Sequence, residues 1–313
     1  MQPVIYLVVP CYNEHEVLPE TTRRLGEKFS ALIKSGSVSE SSRVVFVDDG
    51  SKDNTWELIC AAHEQNGLFR GIKLSRNRGH QNAVLAGLLT VKDEADAVIS
   101  MDADLQDDIN AIDEFVQKYT EGCDVVYGVR SDRATDTAFK RSTATSFYKL
   151  MNAMGANLVY NSADYRLMSR RALDALELYG ETNLFLRGMV TLLGFKTDKV
   201  FYARGERFAG ESKYPLRKML ALAWDGITSF STRPLRLITL LGALAILVGV
   251  GYLIYVLCNI ERGLVPGWAS LIVSIWLLGG VQLVAIGIIG EYIGKIYSET
   301  KRRPRYIVEE YLK

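Results

Sequence analysis

The sequence predicts an α/β fold with a mostly parallel sheet, followed by a C-terminal hairpin of two membrane-spanning helices. Short apolar segments alternate with amphipathic helical segments between residues 4 and 129, a pattern typical of a parallel sheet with helices on both faces. Acidic residues follow several of these apolar segments. Two long uncharged runs then occupy the last quarter of the chain, which indicates a second, membrane-embedded part.

The composition limits the class of protein. The chain has 313 residues, 37 Lys and Arg against 36 Asp and Glu, and a formal net charge of +1. This balance argues against a wholly basic nucleic-acid binder, so no nucleic-acid partner is expected. A hydrophobic content of 48% excludes intrinsic disorder. The four cysteines lie far apart, which favours ordinary thiols in a reducing compartment over a zinc site.

Each predicted element of the sheet domain follows from its local pattern. Residues 4–9 form a continuous apolar run, as expected for a strand buried on both faces. Apolar residues then recur at helical spacing from Val17 to Leu32. Asp53 is placed to cap the second helix. Further strands are predicted at 43–47, 69–74, 97–101 and 124–129, and further helices at 81–91 and 108–119.

Two uncharged runs, 237–258 and 268–290, predict the hairpin. At 1.5 Å per residue, each is long enough to cross a hydrocarbon core of roughly 30 Å. Buried core helices are the alternative, but Tyr252, Trp268 and Trp276 are available near the interfaces and favour spans. Glycines in the second run allow close packing within the hairpin or between subunits, so a homo-oligomer stays open.

Flanking charge predicts how the hairpin is oriented. Basic residues border its outer ends, and the positive-inside rule then places both termini in the cytoplasm. Residues 1–10 lack the basic region of a signal peptide. The predicted organisation is a cytoplasmic domain at 1–212, an interfacial amphipathic segment at 213–232, the spans within 233–295 and a cytoplasmic tail at 296–313. Residues 213–231 could alternatively pack on the soluble core instead of lying at the membrane interface. Residues 134–154 are a second candidate segment, which would pack beside the acceptor or mediate oligomerisation.

Acidic residues at the strand ends predict a metal-assisted ligand site, because parallel sheets bind ligands beyond the carboxyl ends of their strands. Asp102 and Asp104 are separated by one residue, so in an extended segment both side chains point the same way. Two such carboxylates repel each other unless a cation bridges them, and Mg²⁺ or Mn²⁺ suits them. Asp48 and Asp49 point opposite ways, so one is expected to bind a base or ribose and the other to stabilise the turn at Gly50.

Other motifs are absent from the sequence. It contains neither a Gly-x-x-x-x-Gly-Lys-Ser/Thr loop nor a Gly-x-Gly-x-x-Gly after the first strand, which disfavours a P-loop NTPase and a dinucleotide oxidoreductase. The histidines His15, His63 and His80 lack triad spacing and are expected to be surface or hydrogen-bonding residues.

Four motifs in a fixed order resemble the family 2 glycosyltransferases of the GT-A fold, which is Rossmann-like. They are Val-Pro-Cys-Tyr-Asn-Glu at 9–14, Val-Asp-Asp-Gly-Ser-Lys-Asp at 47–53, Asn-Arg-Gly-His at 77–80 and Asp-Ala-Asp-Leu-Gln at 102–106. The segments 162–170, 210–214, 232–236 and 290–297 are similar to the polyprenyl-phosphate glycosyltransferases, which include dolichol-phosphate mannose synthases and bactoprenol glucosyltransferases. The chain has no Arg-Trp pair, whereas processive members carry Gln-x-x-Arg-Trp, so a single sugar transfer is favoured.

The resemblance implies a role for each matching position. The nucleotide-binding residues would be Pro10, Tyr12, Glu14, Asp48, Asp49 and Arg76. Asp102, Asp104 and Gln106 would hold Mg²⁺ or Mn²⁺ on the donor diphosphate, with Asp104 also counted as catalytic. Asp164 matches an aspartate with an acceptor-side or base role. The cations available to a lipid phosphate would be Arg130, Arg141, Arg166, Arg207 and Lys213.

The implied function is inverting transfer of one sugar from a nucleotide-sugar to a polyprenyl phosphate, undecaprenyl phosphate in bacteria, at the cytoplasmic face of the inner membrane. Such a product would serve modification of lipopolysaccharide or another cell-surface glycan. Glucose from UDP-glucose is favoured, because residues 166–170 resemble the glucosyl members. Alternatives are a 4-amino-4-deoxyarabinose derivative, mannose from GDP-mannose, or an N-acetylhexosamine.

Two other classes of protein are weighed against the enzyme. The intact acidic positions disfavour an inactive nucleotide-sugar-binding membrane adaptor. The spans lack a charged pathway residue, which disfavours a transport subunit.

For the enzyme, the nucleophile is a phosphate oxygen that is already anionic, so Asp164 is expected to orient groups or stabilise charge as much as to accept a proton.

Overall fold

The computed structural model describes residues 2–131, 159, 161–182, 184–203, 205, 228, 232–258 and 267–313. The chain divides into two compact units. The sheet unit comprises residues 1–149, 157–214 and 302–313, and the hairpin unit comprises residues 150–156 and 215–301.

The elements of the sheet unit alternate between strand and helix through its first 130 residues, as the apolar pattern predicts. The strands are β1 (Ile5–Cys11), β2 (Arg43–Asp48), β3 (Phe69–Leu74), β4 (Ala97–Ser100), β5 (Val125–Arg130), β6 (Ser162–Ser169), β7 (Thr197–Tyr202) and β8 (Val308–Leu312). The helices are α1 (Leu18–Lys34), α2 (Thr55–Gln65), α3 (His80–Val91), α4 (Ala111–Thr120), α5 (Arg170–Glu177) and α6 (Leu186–Leu192). Predicted and observed boundaries in the first 130 residues therefore differ by only a few residues.

The eight strands form one sheet in the order β7-β5-β6-β4-β1-β2-β3-β8. The pairs β1–β2, β1–β4, β2–β3 and β5–β7 are parallel. Strand β6 lies antiparallel between β4 and β5. All seven residues of β1 are buried, which explains its continuous apolar sequence at the centre of the sheet. The carboxyl ends of β1, β2 and β4 meet at one edge because these strands are parallel.

The C-terminal residues differ from the prediction of a separate tail at 296–313. Strand β8 pairs antiparallel with β3, so this segment forms one edge of the sheet. Tyr311 also accepts a hydrogen bond from Arg70 Nη1 at 3.1 Å and donates to Glu94 Oε1 at 3.3 Å. The expectation of a tail rested on charge alone, and two adjacent glutamates at 309 and 310 conceal the strand in the sequence.

The hairpin unit contains two long helices, α7 (Arg233–Cys258) and α8 (Trp268–Thr300). Their most apolar windows, Pro234–Gly251 and Leu278–Thr300, have mean hydropathies of 2.0 and 1.2, and almost none of those residues is buried. Exposed apolar surface of this length indicates membrane association. Helix α8 continues ten residues beyond the predicted span end at residue 290.

Gly50 allows the close approach of two loops. Its φ is +65°, and a Cβ at this position would lie 2.6 Å from the backbone carbon of Arg76 and the backbone nitrogen of Asn77. We expect Gly50→Ala to lower the free energy of unfolding by about 2 kcal/mol. In detergent, the thermal midpoint should fall by about 4–8 °C.

Gly67→Ala provides the control for Gly50→Ala, because nothing lies within 4 Å of the added Cβ and the backbone is not left-handed. Its midpoint should match that of the parent protein. Equal midpoints for the two variants would contradict the steric argument at Gly50.

Candidate active site

Residues that follow β1 and β2 form one end of the candidate site. Tyr12 is exposed, and Glu14 donates its backbone N–H to Thr55 Oγ1 at 3.0 Å, which ties this loop to the start of α2. Pro10 lies within β1 and pairs with Val47. The loop after β1 therefore lies at the carboxyl edge of the sheet with Tyr12 exposed, where a nucleotide is predicted to bind.

Asp48 and Asp49 are both buried, and burial is the main cause that raises the pKa of each carboxyl. Asp48 Oδ1 accepts a hydrogen bond from Ser51 N at 3.2 Å, so Asp48 stabilises the turn at Gly50. Asp49 accepts from the backbone nitrogens of Arg78 and Gly79, at 2.7 and 2.9 Å. Asp49 therefore holds the loop after β3, which carries the exposed Arg76. The prediction that Asp49 contacts the nucleotide itself stays untested.

Asp53 differs in detail from the predicted helix cap. The N-cap residue of α2 is Asn54, but Asp53 Oδ1 accepts from Thr55 N at 3.1 Å and from Thr55 Oγ1 at 2.6 Å. Its other oxygen lies 2.7 Å from His15 Nδ1. Asp53 still satisfies a backbone donor at the start of the helix, and it also orients His15.

The acidic pair after β4 has the chemistry of a divalent-metal site. Asp102 Oδ1 is buried and makes no hydrogen bond within the described part of the chain. Burial raises the pKa of Asp102 to about 6. Asp104 Oδ1 accepts from Gln106 N at 3.2 Å across a left-handed Leu105, with φ of +58°.

The donor set at this pair fits a hard cation. A buried carboxylate oxygen without a hydrogen-bond partner is costly unless a cation binds it. The described residues contain no cluster of three or more His, Cys, Asp or Glu able to hold a metal by themselves. Asp102, Asp104 and Gln106 therefore fit Mg²⁺ or Mn²⁺ in a site whose coordination is completed by phosphate oxygens.

Asp164 lies close to this pair because of strand register. In the antiparallel pair β4–β6, Ser100 is opposite Arg166, which puts Asp164 level with position 102 just beyond the end of β4. Ser100 Oγ also donates to the Asp164 carbonyl oxygen at 2.6 Å. Residues distant in sequence thus meet at the same edge of the sheet.

The Asp164 carboxylate is held by two guanidinium groups. Arg166 Nη2 donates to Oδ1 at 2.6 Å, and Arg187 donates from Nε to Oδ1 at 3.0 Å and from Nη2 to Oδ2 at 2.9 Å. Burial raises the pKa of Asp164, but Arg187, His80 and Arg166 outweigh it, and the net pKa lies well below the ordinary value. A carboxylate held in this way is a weak proton acceptor.

Arg166 is misplaced for its predicted role as a contact for the lipid phosphate. Its side chain is only 4% exposed, and it donates to Asp164 and to the Leu186 carbonyl oxygen, the latter at 3.4 Å. Position 166 lies on β6, where seven of the eight residues are buried, and its guanidinium is directed at Asp164 and the first residue of α6. Arg166 instead neutralises Asp164 inside the sheet unit.

Sequence reasoning did not single out Arg187, and it expected His80 only as a surface or hydrogen-bonding residue. His80, at the start of α3, has Nε2 3.4 Å from Asp102 Oδ1 and 3.6 Å from Asp164 Oδ2. Its partial burial lowers the pKa, but the two carboxylates raise it more. Arg187 lies near the start of the short helix α6. His80 is the last residue of the motif at 77–80, after the third predicted strand, whereas Arg187 lies in no recognised motif.

Arg130 ends β5, as predicted, and its side chain is largely buried. Its Nη2 lies 3.7 Å from Asp107 Oδ1, and Tyr202 Oη donates to that same oxygen at 2.5 Å. This arrangement links β5 and β7 to the loop that carries Gln106. Arg141, Arg207 and Lys213 lie outside the described residues, as do the predicted segment 134–154 and nearly all of 213–232.

Known families and proteins resemble this chain over most of its length. The family model described as "Glycosyl transferase family 2" matches residues 6–177, and "GtrB C-terminal hairpin" matches residues 233–296. A Bacillus subtilis protein described as "Uncharacterized glycosyltransferase YkoT" is 55% identical over 98% of this chain and 92% of its own. The bactoprenol glucosyl transferase of Shigella phage SfV is 43% identical, over 97% of this chain and 98% of its own.

The Pyrobaculum calidifontis mannosyltransferase PcManGT, in complex with GDP-Man and Mn²⁺, is 16% identical with a TM-score of 0.48, over 94% of this chain and 88% of its own. The first family model spans more than half of the chain, and the observed sheet is mostly parallel, as expected for the GT-A fold. With its strand-end carboxylates and its C-terminal hairpin, the chain belongs to glycosyl transferase family 2.

Proposed function

We propose that the protein transfers one glucose from UDP-glucose to undecaprenyl phosphate, with inversion at the anomeric carbon. The observation that carries this proposal is the pair Asp102 and Asp104 at the carboxyl end of β4, where the buried Asp102 Oδ1 makes no hydrogen bond and lies 3.4 Å from His80 Nε2. The relatives named bactoprenol glucosyl transferase, 42–43% identical over nearly the whole chain, support the choice of donor sugar and acceptor.

The side chains present suit attack by a phosphate nucleophile. A divalent ion on Asp102, Asp104 and Gln106 would supply positive charge to the diphosphate leaving group. An acceptor phosphate is already anionic, so it does not need a strong base. The two guanidinium groups on Asp164 make it a poor base and a poor nucleophile, which favours direct displacement with inversion.

The path of the chain supports a topology in which both termini lie on one side of the membrane. Strand β8 belongs to the same sheet as the strands that precede the hairpin. A chain that leaves this sheet unit before α7 and returns to it after α8 must cross the bilayer an even number of times. The basic residues beyond α8, including Lys301 and Arg303, favour the cytoplasm as that side. We therefore propose an inner-membrane protein with a cytoplasmic active site.

The donor and acceptor can be tested with the full-length protein in detergent or nanodiscs. With undecaprenyl phosphate and Mg²⁺ or Mn²⁺, UDP-glucose should give a kcat/KM at least about tenfold above that of GDP-mannose, UDP-N-acetylglucosamine or a UDP-4-amino-4-deoxyarabinose derivative. Proton NMR of the glucosyl phosphate product should show the β anomer, since the donor is the α anomer, and EDTA should stop the reaction. Preference for another sugar would overturn the donor assignment, and absence of transfer from every donor would overturn the function.

A further inference from the structure

The strongest unexplained feature near the site is the cationic group around Asp164, formed by Arg166, Arg187 and His80. Arg187 makes a two-point contact with Asp164, through Nε to Oδ1 and Nη2 to Oδ2. Arg166 contacts Asp164 Oδ1 from the other side. The Asp164 carboxylate therefore faces two permanent cations, and His80 also contacts the Asp102 carboxylate.

Exposure distinguishes the two arginines. The side chain of Arg166 is 4% exposed and that of Asp164 is 16% exposed, whereas that of Arg187 is 39% exposed. Arg166 and Asp164 compensate each other inside the sheet unit. Of the two guanidinium groups on Asp164, the one that solvent and a dissolved anion can reach is thus that of Arg187.

Arg187 is also held in place by its neighbours. The residue before it, Leu186, donates its N–H to Gln81 Oε1 at 3.0 Å and accepts at its carbonyl oxygen from Arg166 Nη1 at 3.4 Å. Gln81 lies at the start of α3, beside His80. These bonds fix the backbone of α6 relative to the sheet, and Asp164 fixes the guanidinium. A pre-positioned guanidinium binds a phosphate with less loss of side-chain entropy.

The location of Arg187 relates it to the donor site. His80 Nε2 lies within 3.6 Å of both Asp102 and Asp164. Asp102 is proposed to hold the metal and Asp164 holds Arg187, so a single imidazole nitrogen contacts both carboxylates. An acceptor phosphate must approach the sugar carbon attached to the donor diphosphate. Arg187 is thus connected to the proposed donor site through a chain of contacts that runs from Asp164 to His80 and from His80 to Asp102.

We propose that Arg187 binds the phosphate group of the polyprenyl phosphate acceptor and that Asp164 is a positioning residue that holds Arg187. This inference rests on the proposed function, because it assumes a phosphate acceptor. The donor diphosphate offers the same kind of anionic oxygen to a guanidinium. The kinetic experiment below distinguishes binding of the acceptor phosphate from binding of the donor diphosphate.

The test compares Arg187→Gln with the parent enzyme in full-length form, with undecaprenyl phosphate and UDP-glucose varied separately. Loss of a charged hydrogen bond to phosphate should raise the acceptor KM about 10- to 100-fold and change the donor KM less than about twofold. Arg171→Gln is the matched control, since Arg171 is 67% exposed and pairs with Asp124 away from the site. Arg171→Gln should leave both KM values unchanged.

Direct binding adds a readout that does not depend on turnover. Titration of short-chain polyprenyl phosphate into Arg187→Gln protein, without donor, should show an affinity lower by a similar factor. UDP should bind the variant as it binds the parent. A rise in the donor KM alone, or unchanged acceptor affinity, would overturn the assignment of Arg187. Absence of transfer by the parent enzyme would instead overturn the proposed function.

Asp164→Asn tests the positioning role. If Asp164 acts by holding Arg187, Asp164→Asn should raise the acceptor KM. The acceptor KM of the double variant Asp164→Asn/Arg187→Gln should then lie within about twofold of the value for the more impaired single variant. A proton acceptor would behave differently, because its loss would lower kcat at constant acceptor KM and remove the acidic limb of the pH–rate profile. That result would overturn the positioning role.

Discussion

Replacement of Asp104 by alanine is expected to lower the rate of glucose transfer by about a thousandfold or more, with little effect on folding. Asp104 lies after β4 in a loop whose backbone is arranged around it, with Gln106 N donating to its carboxylate. Its removal takes away half of the carboxylate pair that the proposed metal requires. The leaving diphosphate would then develop charge without a nearby cation.

The decrease should be accompanied by a loss of metal-dependent donor binding. UDP together with Mn²⁺ should raise the thermal midpoint of the parent protein and leave that of Asp104→Ala unchanged. Asp93→Asn serves as the control, because Asp93 is a well-exposed carboxylate that pairs with Arg170 on the surface. Asp93→Asn should keep full transfer and full stabilisation by UDP and Mn²⁺. More than a tenth of the parent activity in Asp104→Ala would refute the role of the acidic pair.

The sheet and its functional edge were predictable from the sequence, because each depends on local pattern. A run such as residues 4–9 can be buried on both faces only in the middle of a sheet, and a helix must follow it before a parallel strand can pair. The ends of such strands share one edge. The position of Asp102 and Asp104 therefore followed from the order of strands alone.

The contacts of Asp164 were not predictable, because they depend on long-range register. Strand β6 enters antiparallel between β4 and β5, and no local pattern specifies which residues of β4 it faces. Arg166 lies on this strand and is buried, although in the sequence it looks like any cation near a motif. Arg187 lies on a seven-residue helix with no recognised motif, so only the fold brings it to Asp164.

Deletion of residues 308–313 is expected to lower the free energy of unfolding of the sheet unit by about 3 kcal/mol. Leu312 lies over Gly71, because a Cβ on Gly71 would be 3.1 Å from Leu312 Cδ1 and 2.7 Å from Ile59 Cγ2. The deletion also leaves the outer edge of β3 without the backbone partners that β8 supplies. The thermal midpoint in detergent should fall by about 6–12 °C.

Glu309→Gln separates strand pairing from surface charge. Glu309 forms an exposed ion pair with Lys73 at 3.3 Å, and loss of such a pair should cost less than about 0.5 kcal/mol. A midpoint in the deletion variant equal to that of Glu309→Gln would mean that β8 adds nothing to the sheet. That result would also remove the pairing from which we propose that both termini lie on one side of the membrane. A large decrease confined to the deletion would instead show that pairing of β8 with β3 stabilises the sheet unit.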